Sequence, residues 1–314
     1  MTQMSNCAEI KKRVLRNSSS VVMAVGFCLL LSSTAYSQAV SSTSTLAQQP
    51  SLNTEDSTNT SAVTLEEKAQ DDAKKWGLVA DLSYTSNMHD RKDYNHSSSS
   101  ALLLSTSYKW TQMLTSSLRG SITQEFDHAE ETKVSDLRLR TTYKTAEITP
   151  EITWSNRLDM YAPISRKSQL NDKLRFAAGV GSVLSYKNTN EIAPFTLTGV
   201  LSLIRNFHEY DVKSNGSPNL EYNLAQGLTF SADVTDKVSF DIAGTYYSAL
   251  TYNDSERYTF DSSISLGYQI TEPLNVYVEL ANGGNALKSN GVDSNISFLD
   301  EKSSELSVGL TYEY

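Results

Sequence analysis

The sequence predicts an all-β fold, a twelve-stranded antiparallel transmembrane β-barrel. Three observations predict it. From Trp76 to Tyr314, apolar residues recur at every second position in one segment after another. The connections between those segments alternate between short and long. Aromatic residues gather near the segment ends. A period of two sends successive side chains to opposite faces of a strand, and no stretch carries the 3.6-residue stripe of a long amphipathic helix.

The 314-residue chain has a formal net charge of −9. With a pI near 5.0 it lacks the basic face that nucleic acid requires, so no nucleic-acid partner is expected. Its mean hydropathy of −0.37 excludes a bundle of membrane helices. It does not exclude strands that hide their apolar residues on alternate positions.

Residues 1–37 read as a secretory signal peptide. Lys11, Lys12, Arg13 and Arg16 precede an apolar run over 21–31, and Ala35 and Ser37 occupy the −3 and −1 positions of a cleavage site. The run is too short to cross ~30 Å of hydrocarbon as a helix. No Leu-Ala-Gly precedes Cys28, so a lipid anchor is not expected. Cleavage would remove both cysteines, Cys7 and Cys28, leaving no disulfide and no thiolate. It would also remove four basic residues and one acidic one, moving the formal charge to −12. Residues 38–75 form a second unit. The stretch 38–62 is rich in Ser, Thr, Gln and Asn and cannot bury enough surface to order itself. Residues 65–76 could form a short helix, giving a tail or a plug.

The barrel is assigned to 76–314. The first segment presents Trp76, Leu78, Ala80, Leu82 and Tyr84 on one face, and the second Leu102, Leu104, Tyr108 and Trp110. Leu118, Ile122 and Phe126 follow, then Leu137, Leu139 and Tyr143, then Ile152, Trp154, Leu158 and Met160. The sixth to eighth carry Phe176, Val180, Leu184 and Tyr186; Phe195, Leu197, Leu201 and Leu203; and Leu220, Tyr222, Leu224, Leu228, Phe230 and Val234. The ninth to eleventh carry Val238, Phe240, Ile242, Tyr246 and Leu250; Tyr258, Phe260, Ile264, Leu266 and Tyr268; and Leu274, Val276, Val278 and Leu280. The last runs through Leu306, Val308, Leu310, Tyr312 and Tyr314.

Short turns are expected at 111–113, 144–148, 187–192, 235–237 and 271–273. Longer polar loops are expected at 87–96, 128–133, 162–172, 209–218, 253–257 and 282–302. A soluble sandwich has no reason to sort its loops by end. The apolar-face aromatics fall in two belts. Trp76, Trp110, Tyr143, Trp154, Tyr186, Phe195, Phe240, Tyr268 and Tyr312 sit near the short turns. Tyr84, Phe126, Phe176, Tyr222, Tyr252 and Tyr258 sit near the long loops. Two belts mark the boundaries of a lipid-facing band.

Residues offset by one from that face should line an enclosed lumen. Arg119, Arg138, Arg140, Arg157 and Arg175 come from the third to sixth segments, with Asp81, Glu125, Asp136 and Asp159 among or beside them. Glu221, Asp233, Asp241, Asp261, Glu279 and Glu305 come from the eighth to twelfth. A basic wall facing an acidic one sets up a transverse field that orients charged or dipolar solutes. Twelve strands enclose more than a filled eight-stranded barrel and far less than a wide pore, so any channel is narrow.

The C-terminus, Leu306-Ser-Val308-Gly-Leu310-Thr-Tyr312-Glu-Tyr314, resembles the assembly signal of Gram-negative outer-membrane β-barrel proteins, with Tyr in place of the usual final Phe. The resemblance implies secretion, insertion into the outer membrane, periplasmic turns and extracellular loops. It implies as partners the assembly machinery, acting on the last strand, outer-membrane lipid and lipopolysaccharide. Twelve-stranded relatives include a phospholipase, the omptin proteases, nucleoside and acidic-oligosaccharide channels, and autotransporter translocators. The four histidines, His89, His96, His128 and His208, do not form the patterns of the two enzymes. His208 is the best single candidate, and a flexible loop accounts for His89, Asp90, Asp93 and His96. The stretch 38–75 is too short for a passenger domain. The sequence therefore points away from an enzyme, a cofactor or a metal. It points toward a porin-like channel for passive diffusion of small hydrophilic solutes, acidic sugars or other small anions among them. The alternative is a closed barrel with a structural or surface-recognition role through its loops, chiefly 282–302.

Overall fold

The computed structural model describes residues 74–90, 93–127, 131–188, 194–288, 291–297, 299, 300 and 304–314. The predicted signal peptide, the linker up to residue 73 and His128 lie outside these residues. Thirteen strands build one sheet: β1 (Trp76–Asn87), β2 (Ser98–Lys109), β3 (Leu114–Glu125), β4 (Thr132–Val134), β5 (Leu137–Thr149), β6 (Ile152–Ala162), β7 (Leu174–Asn188), β8 (Phe195–His208), β9 (Leu220–Thr235), β10 (Val238–Thr251), β11 (Glu256–Thr271), β12 (Leu274–Asn285) and β13 (Glu305–Glu313). Pairing is antiparallel throughout, and β13 pairs with β1, from Val79↔Glu313 to Asn87↔Glu305, which closes the barrel. β3 pairs with β5 along its first half and with β4 near its far end, so β4 and β5 share one wall position and the wall has twelve. The expected loop at 128–133 is therefore shorter: Thr132 and Lys133 pair with Gln124 and Thr123.

One turn also moved. Residues 144–148 lie inside β5, which continues to Thr149 by absorbing two register shifts against β6. The chain reverses at Pro150 and Glu151 instead, where Pro has no N–H to give a ladder. At the other end, the connection before β7 contains a single turn of π-helix, Lys167–Asn171.

Alternation sorts the wall as expected. Leu82, Leu104 and Leu266 are 54%, 46% and 54% exposed on the outside, whereas their neighbours Ser83, Ser105 and Ser265 are 6%, 8% and 5% exposed inside. A continuous apolar exterior of this kind is stable only against hydrocarbon. Closure satisfies every strand edge there, because lipid offers no hydrogen bonds. Ring pairs mark both borders. Trp76 and Tyr108 (4.6 Å), Tyr108 and Trp110 (4.7 Å), and Tyr186 and Phe195 (5.9 Å) lie at the short-turn end. Tyr84 and Phe126 (6.3 Å), Phe176 and Phe207 (4.3 Å), and Tyr246 and Tyr258 (6.1 Å) lie at the other. Tyr252 leaves the expected belt. Its hydroxyl donates to the Asn206 carbonyl at 2.8 Å, and its ring meets His208 edge-on.

Much of the interior is small: Ser83, Ser105, Thr198, Ser202, Ala243, Ser263 and Ser307. That leaves room for long side chains to reach across. Tyr277 shows how tightly some of that room is used. It lies flat over Gly309 of β13, where an added Cβ would come within 2.3–2.5 Å of the ring. Gly309→Val should expel the ring and break its bond to Asp81, costing about 1–3 kcal/mol. The check is the urea midpoint for unfolding of barrels in lipid vesicles, and an unchanged midpoint would contradict the packing.

Candidate functional site: a charged lumen

The basic wall is built by β3, β5 and β6. Their pairing sets Arg119 opposite Arg138, Arg140 opposite Asp159, and Thr142 opposite Arg157. Asp159 is 1% exposed. It accepts from Arg140 Nε at 2.7 Å and Nη2 at 3.3 Å, and its second oxygen lies 3.4 Å from Arg157 Nε. The forked contact to Arg140 matches guanidinium geometry to carboxylate geometry. One carboxylate thus serves two arginines. Among the described residues Arg138 makes no ion pair, and its Nε is buried without a hydrogen-bond partner. Like charges directly opposite each other, as at Arg119 and Arg138, disfavour the bare sheet.

The facing wall comes from β1 and β9 to β13. Asp81 accepts from Tyr277 Oη at 3.0 Å and Thr311 Oγ1 at 2.7 Å, and Asp241 accepts from Ser265 Oγ at 3.4 Å. A cavity of about 410 Å³ opens in the half of the barrel nearer the short turns, where Arg119, Asp81, Asp233, Asp241, Tyr277 and Glu279 come together. Of the ten residues singled out in the sequence, Arg119, Asp233, Asp241 and Glu279 line this space. Arg138, Arg140 and Arg157 stand on the same wall as Arg119. Asp261 faces inward where Gly283 makes room: a Cβ there would lie 2.5 Å from its carboxylate.

Two of the ten sit elsewhere. Arg175 falls on the register shift between Leu174 and Phe176 at the long-loop end and is exposed. Glu221 starts β9 at the same end and pairs at 3.4 Å with Arg205, whose guanidinium covers the rings of Phe207 and Tyr222. Arg205 continues the outward parity of Leu201 and Leu203, which the sequence pattern already carries. Tyr277 was missed as an interior residue, although Val276 and Val278 on the outer face place it inside. Among the described residues no group of three His, Cys, Asp or Glu side chains could hold a metal.

The described histidines, His89, His96 and His208, distribute over the rim. His208 has a buried Nδ1 without a partner and faces Tyr252. His96 Nδ1 lies 3.3 Å from Asp127 Oδ1, which closes the connection between β1 and β2 onto the end of β3. Ser86 Oγ is 3.4 Å from His96 Nε2 and 3.1 Å from the Asn87 carbonyl, to which it can donate. Through Asp127, which also accepts from Ser98 Oγ at 2.6 Å, the cluster anchors the loop. The Ser98 hydroxyl, and after it His96, hold the Asp127 carboxyl below the usual range. A depressed carboxyl contributes its anchoring above its ordinary value, ~3.9, and loses it as pH falls through its lower folded value. A spin label introduced by Tyr94→Cys should become more mobile between pH 5 and pH 2. Ser98→Ala should move that release to higher pH.

No family model and no curated protein matches the chain. Solved structures do. An outer membrane channel from Pseudomonas putida F1 superposes with a TM-score of 0.51 at 12% identity, over 79% of this chain and 100% of that one. The NanC porin gives 0.48 at 14% identity, over 75% and 98%, and the KdgM porin 0.44 at 9%, over 75% and 99%. The first of these likenesses shows a shared fold at an identity too low to carry more. A closed wall of twelve antiparallel positions, apolar outside and charged within, gives this chain the fold of the outer-membrane β-barrel channels.

Proposed function

We propose that the chain is an integral outer-membrane protein forming a narrow, non-enzymatic channel for passive diffusion of small hydrophilic solutes, small anions included. The observation that carries this reading is Arg138, an inward-facing, half-buried guanidinium whose Nε is buried without a hydrogen-bond partner and which makes no ion pair among the described residues, beside Arg140 and Arg157, which share the carboxylate of Asp159. A barrel built only to stay closed gains nothing from uncompensated charge, because burying it costs several kcal/mol per ion. A wet lumen hydrates such a charge and lets it exchange water for a passing anion. The acidic wall opposite makes the field transverse, so a solute is turned as it moves and is not held. In this reading the short turns face the periplasm, residues 1–37 are cleaved on export, and the last strand is recognised by the assembly machinery. The outer end meets lipopolysaccharide.

One observation favours a closed barrel with a surface role: Asp159 and Glu279 are 1% and 3% exposed, so water reaches little of either. Planar-bilayer recording separates the two. A channel gives discrete openings, and Arg138→Glu, which breaks no ion pair, should move the zero-current potential in a salt gradient toward cation preference. A correctly folded barrel that stays silent would support the closed reading.

A further inference from the structure

Gln226 is out of place for a lipid-facing residue. It lies on β9 with Leu224 and Leu228 on its own face, and pairs with Leu201 of β8 and Tyr246 of β10, all on the outer wall. Its side chain is exposed and makes no hydrogen bond among the described residues. It stands midway along the strand between Tyr222, under Arg205 near the long loops, and Phe230, stacked on Phe195 near the short turns. That is the middle of the apolar band, where water is scarcest and an unmatched amide is most costly. Three other outward polar groups on the wall have partners. Ser182 accepts from Trp154 Nε1, Ser116 accepts from Trp110 Nε1, and Asn156 donates to Thr145.

The wall around Gln226 has a second peculiarity. Gly199 of β8 and Gly244 of β10 both pair with Leu228, one step along the same face. Neither is required by packing within the chain: a Cβ at Gly199 or Gly244 would meet nothing nearer than 3.9 Å or 4.0 Å. Glycine inside a strand weakens it and marks places where another backbone comes close. Here the two glycines leave a notch on each side of Leu228, which is 48% exposed.

The geometry points to a two-fold contact between copies of this chain through the outer wall of β8, β9 and β10, with Gln226 pairing with Gln226 at its centre. A carboxamide carries both donor and acceptor, so two related by a two-fold axis satisfy each other. The same axis sets each Leu228 ridge into a notch of the other copy, as an isologous interface requires. Small residues and a buried amide pair are the means by which surfaces associate where lipid removes the hydrophobic drive. The contact does not depend on whether the lumen conducts.

The test is oxidative crosslinking in outer-membrane vesicles, using the full chain with Cys7→Ser and Cys28→Ser so that one thiol remains. Gln226→Cys should run mostly at double mass on a non-reducing gel. Leu104→Cys, outward-facing on β2 across the barrel, should not. Gln226→Leu, still shifting on the gel between boiled and unboiled samples as a folded barrel does, should migrate at half the native size in mild detergent. Equal crosslinking at the two cysteine positions, a Gln226→Cys product with a different protein, or an unchanged native size for Gln226→Leu would each overturn the proposal.

Discussion

Asp159→Ala should be the most damaging single substitution in the lumen, lowering barrel stability by about 3–5 kcal/mol, the range for removing one partner of a buried pair. Asp159 accepts two hydrogen bonds from Arg140, at 2.7 and 3.3 Å, and lies 3.4 Å from Arg157 Nε as an ion pair. The side chains of Arg140 and Arg157 are each 10% exposed. Without the carboxylate, two positive groups remain close together with little water between them, next to a third at Arg138. The size of the effect comes from the stranded charges, not from the worth of the ion pair. Replacing both partners, as Arg140→Met with Asp159→Leu, should therefore cost less than Asp159→Ala alone. Urea unfolding in lipid vesicles, followed by tryptophan fluorescence, measures both variants and the single changes Arg140→Met and Asp159→Leu. If the double variant were as unstable as the sum of its parts, the stranded-charge account would fail.

The same residues show how far the sequence could be read. Alternation located the wall because the outside must be apolar at every second position, a constraint repeated in twelve places. Parity then assigned the inside with no further information, which is why Arg119, Arg138, Arg140 and Arg157 were legible. Parity fails where the ladder slips. Arg175 sits on such a slip, and nothing in Leu174-Arg175-Phe176 announces it. It also fails at strand ends, where Glu221 turns to Arg205. Pairing choices were invisible for a different reason. That Asp159 takes Arg140 and Arg157 and leaves Arg138 follows from register, which depends on turn geometry and bulges more than on the pattern itself. Gln226 was legible in principle: a lone polar residue on the apolar face of β9, passed over because one such position in a segment looks like noise.

Asn219 should be the second most sensitive position, at the rim. It is 0% exposed in a connection that otherwise looks solvated. Its Nδ2 donates to the Asp172 carbonyl at 3.0 Å and to the Tyr210 carbonyl at 2.8 Å. Its backbone N–H donates to the Asp211 carbonyl, and its carbonyl accepts from the Tyr252 N–H. Three connections, 163–173, 209–219 and 252–255, are thereby fastened into one ledge over the mouth of the lumen. Asn219→Ala keeps the backbone bonds and removes both side-chain ones, leaving unmatched two carbonyls that face a fully buried side chain. At about 1–3 kcal/mol for each unsatisfied group, the loss should be roughly 2–6 kcal/mol. It should fall mainly on the ledge, because the strands beneath keep their ladders. Local opening of that kind is read by amide hydrogen exchange. Asn219→Ala should speed exchange at Ser214 and Tyr252, whose N–H groups bond to Asn171 and Asn219. Exchange at the centre of β9 should stay unchanged. Uniform acceleration across the barrel would mean that Asn219 supports the whole fold, and no acceleration would mean that the ledge is held by something else. The sequence offered no hint of this role, since an Asn after Pro218 in a polar loop is what an ordinary turn contains.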